Sequence, residues 1–119
     1  MTDVSTSDSP VRQFIKNAIN DHGVVLFMKG TPDAPRCGFS ALVVQVLDHL
    51  GAEFAGVDVL ASEPLREDIK AFSDWPTIPQ LYVKGEFVGG SDIVREMFNA
   101  GELQTLLADK GVPLGDADA

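Results

Sequence analysis

Val24-Val25-Leu26-Phe27-Met28 is a run of five apolar, partly β-branched residues that leads through Lys29-Gly30-Thr31-Pro32-Asp33-Ala34-Pro35-Arg36 into Cys37. A short continuous apolar run closed by turn residues predicts a central strand buried on both faces. The glycine and two prolines that follow predict a loop over 29–36. Beyond it Leu42, Val43, Val46, Leu47 and Leu50 recur at helical spacing, and Gly51 suits the left-handed C-cap, so a helix is expected from position 37 to position 50.

Working outward, Ser9-Pro10 reads as N-cap and first residue of an earlier helix whose apolar positions are Val11, Phe14, Ile15, Ala18 and Ile19, ended by Gly23. A second strand is expected over 54–59. Ser62 can cap a helix over 63–73 with the stripe Leu65, Ile69 and Phe72. Strands over 80–83 and 86–88 meet across Lys84-Gly85, where glycine can supply the positive φ of a tight hairpin, and Gly89-Gly90 ends it. Ile93, Val94, Met97 and Phe98 mark a fourth helix, and Leu103, Leu106 and Leu107 a short fifth after Gly101. The strand-helix-strand unit implies a right-handed parallel crossover, and the hairpin adds antiparallel strands. The expected fold class is α/β, a mixed four-stranded sheet flanked by about five helices. One domain over 10–110 is expected between a disordered segment, 1–9, and a flexible acidic tail, 111–119.

The 119 residues fit one domain, and no apolar run approaches the roughly 18 residues of a membrane span. The polar start lacks the basic and apolar regions of a signal peptide, so a cytoplasmic location is expected. A net charge of -9 disfavours nucleic acid as a partner. The single cysteine, Cys37, excludes an internal disulfide and a structural zinc site built on paired cysteines. Thiol chemistry must therefore recruit sulfur from outside the chain.

Cys37 falls at a loop-to-helix junction, where unpaired N–H groups and the helix dipole favour a thiolate, with Lys29 and Arg36 near in sequence. A lone cysteine is often only a small buried apolar residue, but flanking Arg36 and Gly38 oppose burial. His49 lies twelve residues along the same helix, about 18 Å away, and His22 precedes the first strand, at the end opposite the loop. A cysteine-histidine catalytic pair is thus disfavoured.

The loop and Cys37-Gly38-Phe39-Ser40 together resemble the active segment of monothiol glutaredoxins. Arg66, the stretch Trp75-Pro76-Thr77-Ile78-Pro79-Gln80-Leu81, and Gly89-Gly90-Ser91-Asp92 resemble further motifs of that family in the same order. The resemblance covers about positions 10–110 and implies a thioredoxin-like, glutaredoxin fold that binds glutathione. It implies Cys37 as the reactive and cluster-ligating residue. Lys29 and Arg66 would hold the glycine-end carboxylate. Ile78, ahead of a cis proline, would pair its backbone with the tripeptide, and Ser91 and Asp92 would receive the γ-glutamyl end. Position 91 is Ser where some relatives carry Cys, so that spare thiol is missing. Trp75 and Phe39 can shield the site or simply pack.

Ser40 stands where a dithiol relative has its second cysteine, so an internal resolving step is chemically closed. A 2Fe-2S cluster needs four ligands, and one chain offers one cysteine thiolate; two chains and two glutathione molecules would complete the set. The resemblance thus implies a carrier of a labile cluster in a homodimer, with weak redox catalysis, serving apo iron-sulfur proteins. By family analogy the long loop before Cys37 favours cluster binding over thiol exchange. Two alternatives use the same residues: a glutathione-dependent thiol-disulfide oxidoreductase, and a regulatory module acting with a BolA-like partner.

Overall fold

A computed structural model describes residues 9–115. Along the chain run α1 (Pro10–Asp21), β1 (Val24–Met28), β2 (Gly30–Thr31), β3 (Ala34–Pro35), α2 (Gly38–Leu50) and β4 (Ala55–Asp58). A 3-10 turn (Val59–Ala61) leads to α3 (Glu63–Ser73), β5 (Gln80–Val83), β6 (Glu86–Gly89), α4 (Ser91–Ala100) and α5 (Glu102–Asp109). The main sheet has the order β4-β1-β5-β6, with β1 parallel to β4 and antiparallel to β5. β6 closes it antiparallel to β5. The expected mixed four-stranded sheet and five helices are both present.

β1 sits between two strands, and the two-residue period of its side chains divides the core. Val24, Leu26 and Met28 join Val43, Leu47, Val94, Leu103 and Leu107 on the face covered by α2, α4 and α5. Val25 and Phe27 join Ile15, Ile19, Leu65, Ile69 and Tyr82 on the face covered by α1 and α3. With helices on both sides, all five of its residues are apolar and all five are buried. Across the second face Arg12 grips Asp68 with two hydrogen bonds of 2.8 and 3.2 Å, tying α1 to α3.

Two expectations change. Residues 29–36 are not an open loop but hold the β2-β3 ribbon, in which Arg36 N–H donates to the carbonyl of Lys29 at 2.8 Å. Residues 111–115 do not fray: Val112 is buried, Leu114 packs on the core, and Gly115 N–H donates to the carbonyls of Leu50 and Gly51 at 3.1 Å each. Apolar Val112 and Leu114 supply burial that the acidic residues beyond them do not. Positions 1–8 and 116–119, expected to be disordered and flexible, lie outside the described residues. Among the described residues no helix is long and apolar enough to cross a membrane.

Candidate functional site

Cys37 is the N-cap of α2, in extended backbone with φ -148° and ψ 136°. Its thiol is partly exposed, and its sulfur closes no cap hydrogen bond onto the helix. Partial burial pushes this thiol up, but the nearby N–H groups of Ser40 and Phe39, the Lys29 ammonium and the Ser40 hydroxyl outweigh it and hold the thiol below its usual 9.0. Each of them favours the charged form. Ser40 is fully buried and accepts a hydrogen bond from Lys29 N–H at 3.1 Å, which ties the end of β1 to the first turn of α2. The position that lacks a second thiol is therefore a structural pin.

The approach to Cys37 is set by close packing. Gly30 has φ 92°, and a Cβ there would stand 2.6 Å from both the Ala34 carbonyl and the Arg36 nitrogen, so the tight ribbon requires glycine. Pro32 lies on Gly56 of β4, where a Cβ would come within 2.5 Å of the proline ring.

The facing wall is the loop between α3 and β5, where the Ile78-Pro79 peptide is cis, as expected. Gln80, fully buried, fixes this loop from below: its Nε2 donates to the carbonyls of Trp75 and Thr77 at 3.2 Å each, and its Oε1 accepts from the Tyr82 hydroxyl at 3.3 Å. Desolvation pushes the Tyr82 phenol up to about 12, against a smaller lowering contribution from Ser73. Trp75 packs on Phe87 with ring centroids 5.6 Å apart, whereas Phe39 is 61% exposed. Of the two aromatics, the tryptophan packs and the phenylalanine stands out beside the cysteine.

One groove of about 440 Å³ is lined by all six residues singled out in the sequence: Lys29, Cys37, Arg66, Ile78, Ser91 and Asp92. Arg66 donates through Nη2 to the two oxygens of Glu63 at 3.2 and 3.1 Å, while its Nε is buried with no partner. An unmet buried donor costs free energy until an acceptor arrives, which suits a site built for an anion. α4 starts at Gly90 with no side-chain cap, so its first N–H groups are likewise unspent. Asp92 is exposed and lies 3.6 Å from Arg95.

Sequence reasoning missed Lys70, which also lines the groove, as does Thr77, quoted only within its motif and given no role. Lys70 stands four residues after Arg66 on α3, and that spacing places it on the same helix face. The histidines go elsewhere, as spacing implied: His49 meets the ring of Phe98 at 5.6 Å, and His22 lines a cavity with Val112 and Gly115. Among the described residues no three His, Cys, Asp or Glu side chains gather as a metal site.

A sheet of this order with helices on both faces, a cis proline facing a cysteine at a helix start, and one thiol define a single-cysteine protein of the thioredoxin-like class. Residues 24–88 match the Glutaredoxin family. The chain is 57% identical over 98 residues to a probable monothiol glutaredoxin 2 of Rickettsia typhi, covering 82% of this chain and 88% of that one. It is 58% identical over 85 residues to the probable monothiol glutaredoxin GrlA of Legionella pneumophila, covering 71% and 96%. Its fold superposes on a monomeric truncated mutant of Trypanosoma brucei 1-C-Grx1 with a TM-score of 0.81 and 46% identity, covering 87% and 94%. The chain belongs to the glutaredoxin family, in its monothiol branch.

Proposed function

We propose that the protein binds glutathione in this groove and, as a dimer, carries a labile 2Fe-2S cluster to apo iron-sulfur proteins. The observation that carries the reading is the pairing of a lowered, partly exposed thiol with cationic Lys29 and Arg66, whose buried Nε has no partner. A thiolate can ligate iron, and an unmet guanidinium N–H can donate to a carboxylate side-on. Glutathione offers a carboxylate at each end and a thiol between them. Its extended backbone matches Ile78 beside the cis proline, and its γ-glutamyl carboxylate matches the uncapped start of α4.

The cluster here is cargo. Cys37 supplies one ligand, so two chains leave two positions for thiolates that diffuse, and a cluster held half by diffusible ligands is easily passed on. Exposed Phe39 beside Cys37 provides apolar surface where a second chain, or a BolA-like protein, can cover the site. The same lowered thiol supports a second reading, in which Cys37 thiolate attacks a glutathionylated protein, takes the glutathione as a mixed disulfide and releases the protein thiol.

Anaerobic incubation with iron, sulfide and glutathione tests the reading. Visible absorbance that requires glutathione and is lost in Cys37→Ser is expected. Absence of colour together with rapid deglutathionylation would favour the oxidoreductase, and colour only with a BolA-like protein added would favour the regulatory module.

A further inference from the structure

Lys29 and Arg66 come from different parts of the chain, the end of β1 and the second turn of α3, yet both line the same groove. Their spacing must be held by something that touches both supports. Asp58, the last residue of β4, does so while itself lying outside the groove lining. Its Oδ1 accepts from Gly30 N–H at 2.9 Å, the residue directly after Lys29. The same oxygen accepts from Leu60 N–H at 2.9 Å, in the 3-10 turn that delivers the chain to α3. One carboxylate oxygen thus joins the ribbon bearing Lys29 to the turn that launches Arg66. Two N–H groups on one carboxylate oxygen make strong, directional bonds. The neighbouring Pro32-Gly56 contact presses the ribbon onto the same strand.

We infer that Asp58 is a positioning residue for the carboxylate clamp, acting through Gly30 and Leu60 to set the span between Lys29 and Arg66. It makes the groove selective for a ligand whose anionic end fits that span. This rests on the reading of Lys29 and Arg66 as the clamp for the glycine-end carboxylate of glutathione. Asparagine keeps an acceptor oxygen in the same place and should serve; alanine removes it and lets the two supports drift.

The test compares two disulfides with the full chain. Cys37 thiolate attacks one sulfur of glutathione disulfide, the S–S bond breaks, and the second glutathione leaves as thiolate; mass spectrometry follows the mixed disulfide. The second substrate is the same disulfide with both glycine carboxylates esterified. Wild-type protein should react faster with the free acid, and Asp58→Ala should lose about tenfold of that preference, the scale of one hydrogen bond to a charged group. Asp58→Asn should stay within about twofold of wild type on that scale. Alkylation of Cys37 by iodoacetamide, which carries no carboxylate, should be unchanged in both when measured well above 9.0, where the thiol is ionised whatever the placement of Lys29.

Equal slowing of Asp58→Ala toward acid, ester and iodoacetamide would mean a general loss of structure and would overturn the inference, as would an unchanged preference. If wild type itself shows no preference for the acid, the clamp reading fails first. Should Asp58→Ala not fold, Asp58→Leu asks the same question by keeping bulk at the position while removing the acceptor of the Gly30 and Leu60 N–H groups, and a retained preference there would likewise overturn the inference.

Discussion

Replacing Gln80 by leucine should destabilise the fold by about 2–3 kcal/mol and loosen the wall of the groove. Gln80 is fully buried and makes three hydrogen bonds, two to the carbonyls of Trp75 and Thr77 and one from Tyr82. Leucine is somewhat larger than glutamine, so no cavity forms and the cost is chiefly polar. Each lost bond is worth about 1 kcal/mol net, and the buried Tyr82 hydroxyl, left with only the Ser73 side chain beside it, adds to it. Thr77 is exposed, so water can take over part of its share. Leucine returns about 1 kcal/mol through its more apolar side chain. At about 4 °C per kcal/mol, the melting temperature should fall by about 8–12 °C. A double-mutant cycle with Tyr82→Phe isolates the hydroxyl: in that background Gln80→Leu should cost about 1 kcal/mol less. A loss below about 0.5 kcal/mol, or the same loss in both backgrounds, would refute the reasoning that Gln80 is what fixes this loop.

The pH dependence of iodoacetamide alkylation should place the Cys37 midpoint below 9.0, and Lys29→Ala should move it up by removing a cation that favours the thiolate. Because the folded value is lowered, this ionisation stabilises the fold in full above about 9.0 and ceases to do so as pH falls through the lowered midpoint. Tyr82 has the opposite sign: its folded value is raised from 10.0 to about 12, so its contribution is complete below pH 10.0 and disappears as pH climbs to about 12, readable as delayed phenolate absorbance. Arg66→Ala should weaken glutathione binding about tenfold by titration calorimetry with little change in melting, since its partner Glu63 is 69% exposed. Arg12→Ala should do the reverse, costing about 1 kcal/mol by loss of the bidentate Asp68 pair while leaving glutathione binding intact.

The sheet was legible because β1 is apolar at every position, the mark of a strand covered on both sides. The helices followed from period and punctuation: Ser9 and Ser62 do cap α1 and α3, and Gly51 does adopt φ 70° at the end of α2. The ribbon inside residues 29–36 was hidden because two-residue strands carry no periodicity. The packed stretch 111–115 was hidden because Val112 and Leu114 are too few to signal burial before an acidic end. At the site, the six residues that the motifs single out do share one groove. Asp58 was invisible, since an aspartate ending a strand looks like any surface turn residue, and Gln80 because a polar residue in a strand gives no sign that it is sealed. Both act on backbone groups brought near only by the fold.

In the proposed function the four cluster ligands are divided between protein and tripeptide. Native mass spectrometry of the anaerobically reconstituted protein measures that division directly. The prediction is one species containing two chains, two iron and two sulfide ions, and two glutathione molecules, which falls to the bare monomer when glutathione is removed. A cluster-bearing species whose mass leaves no room for glutathione, or one that survives in Cys37→Ser, would contradict it.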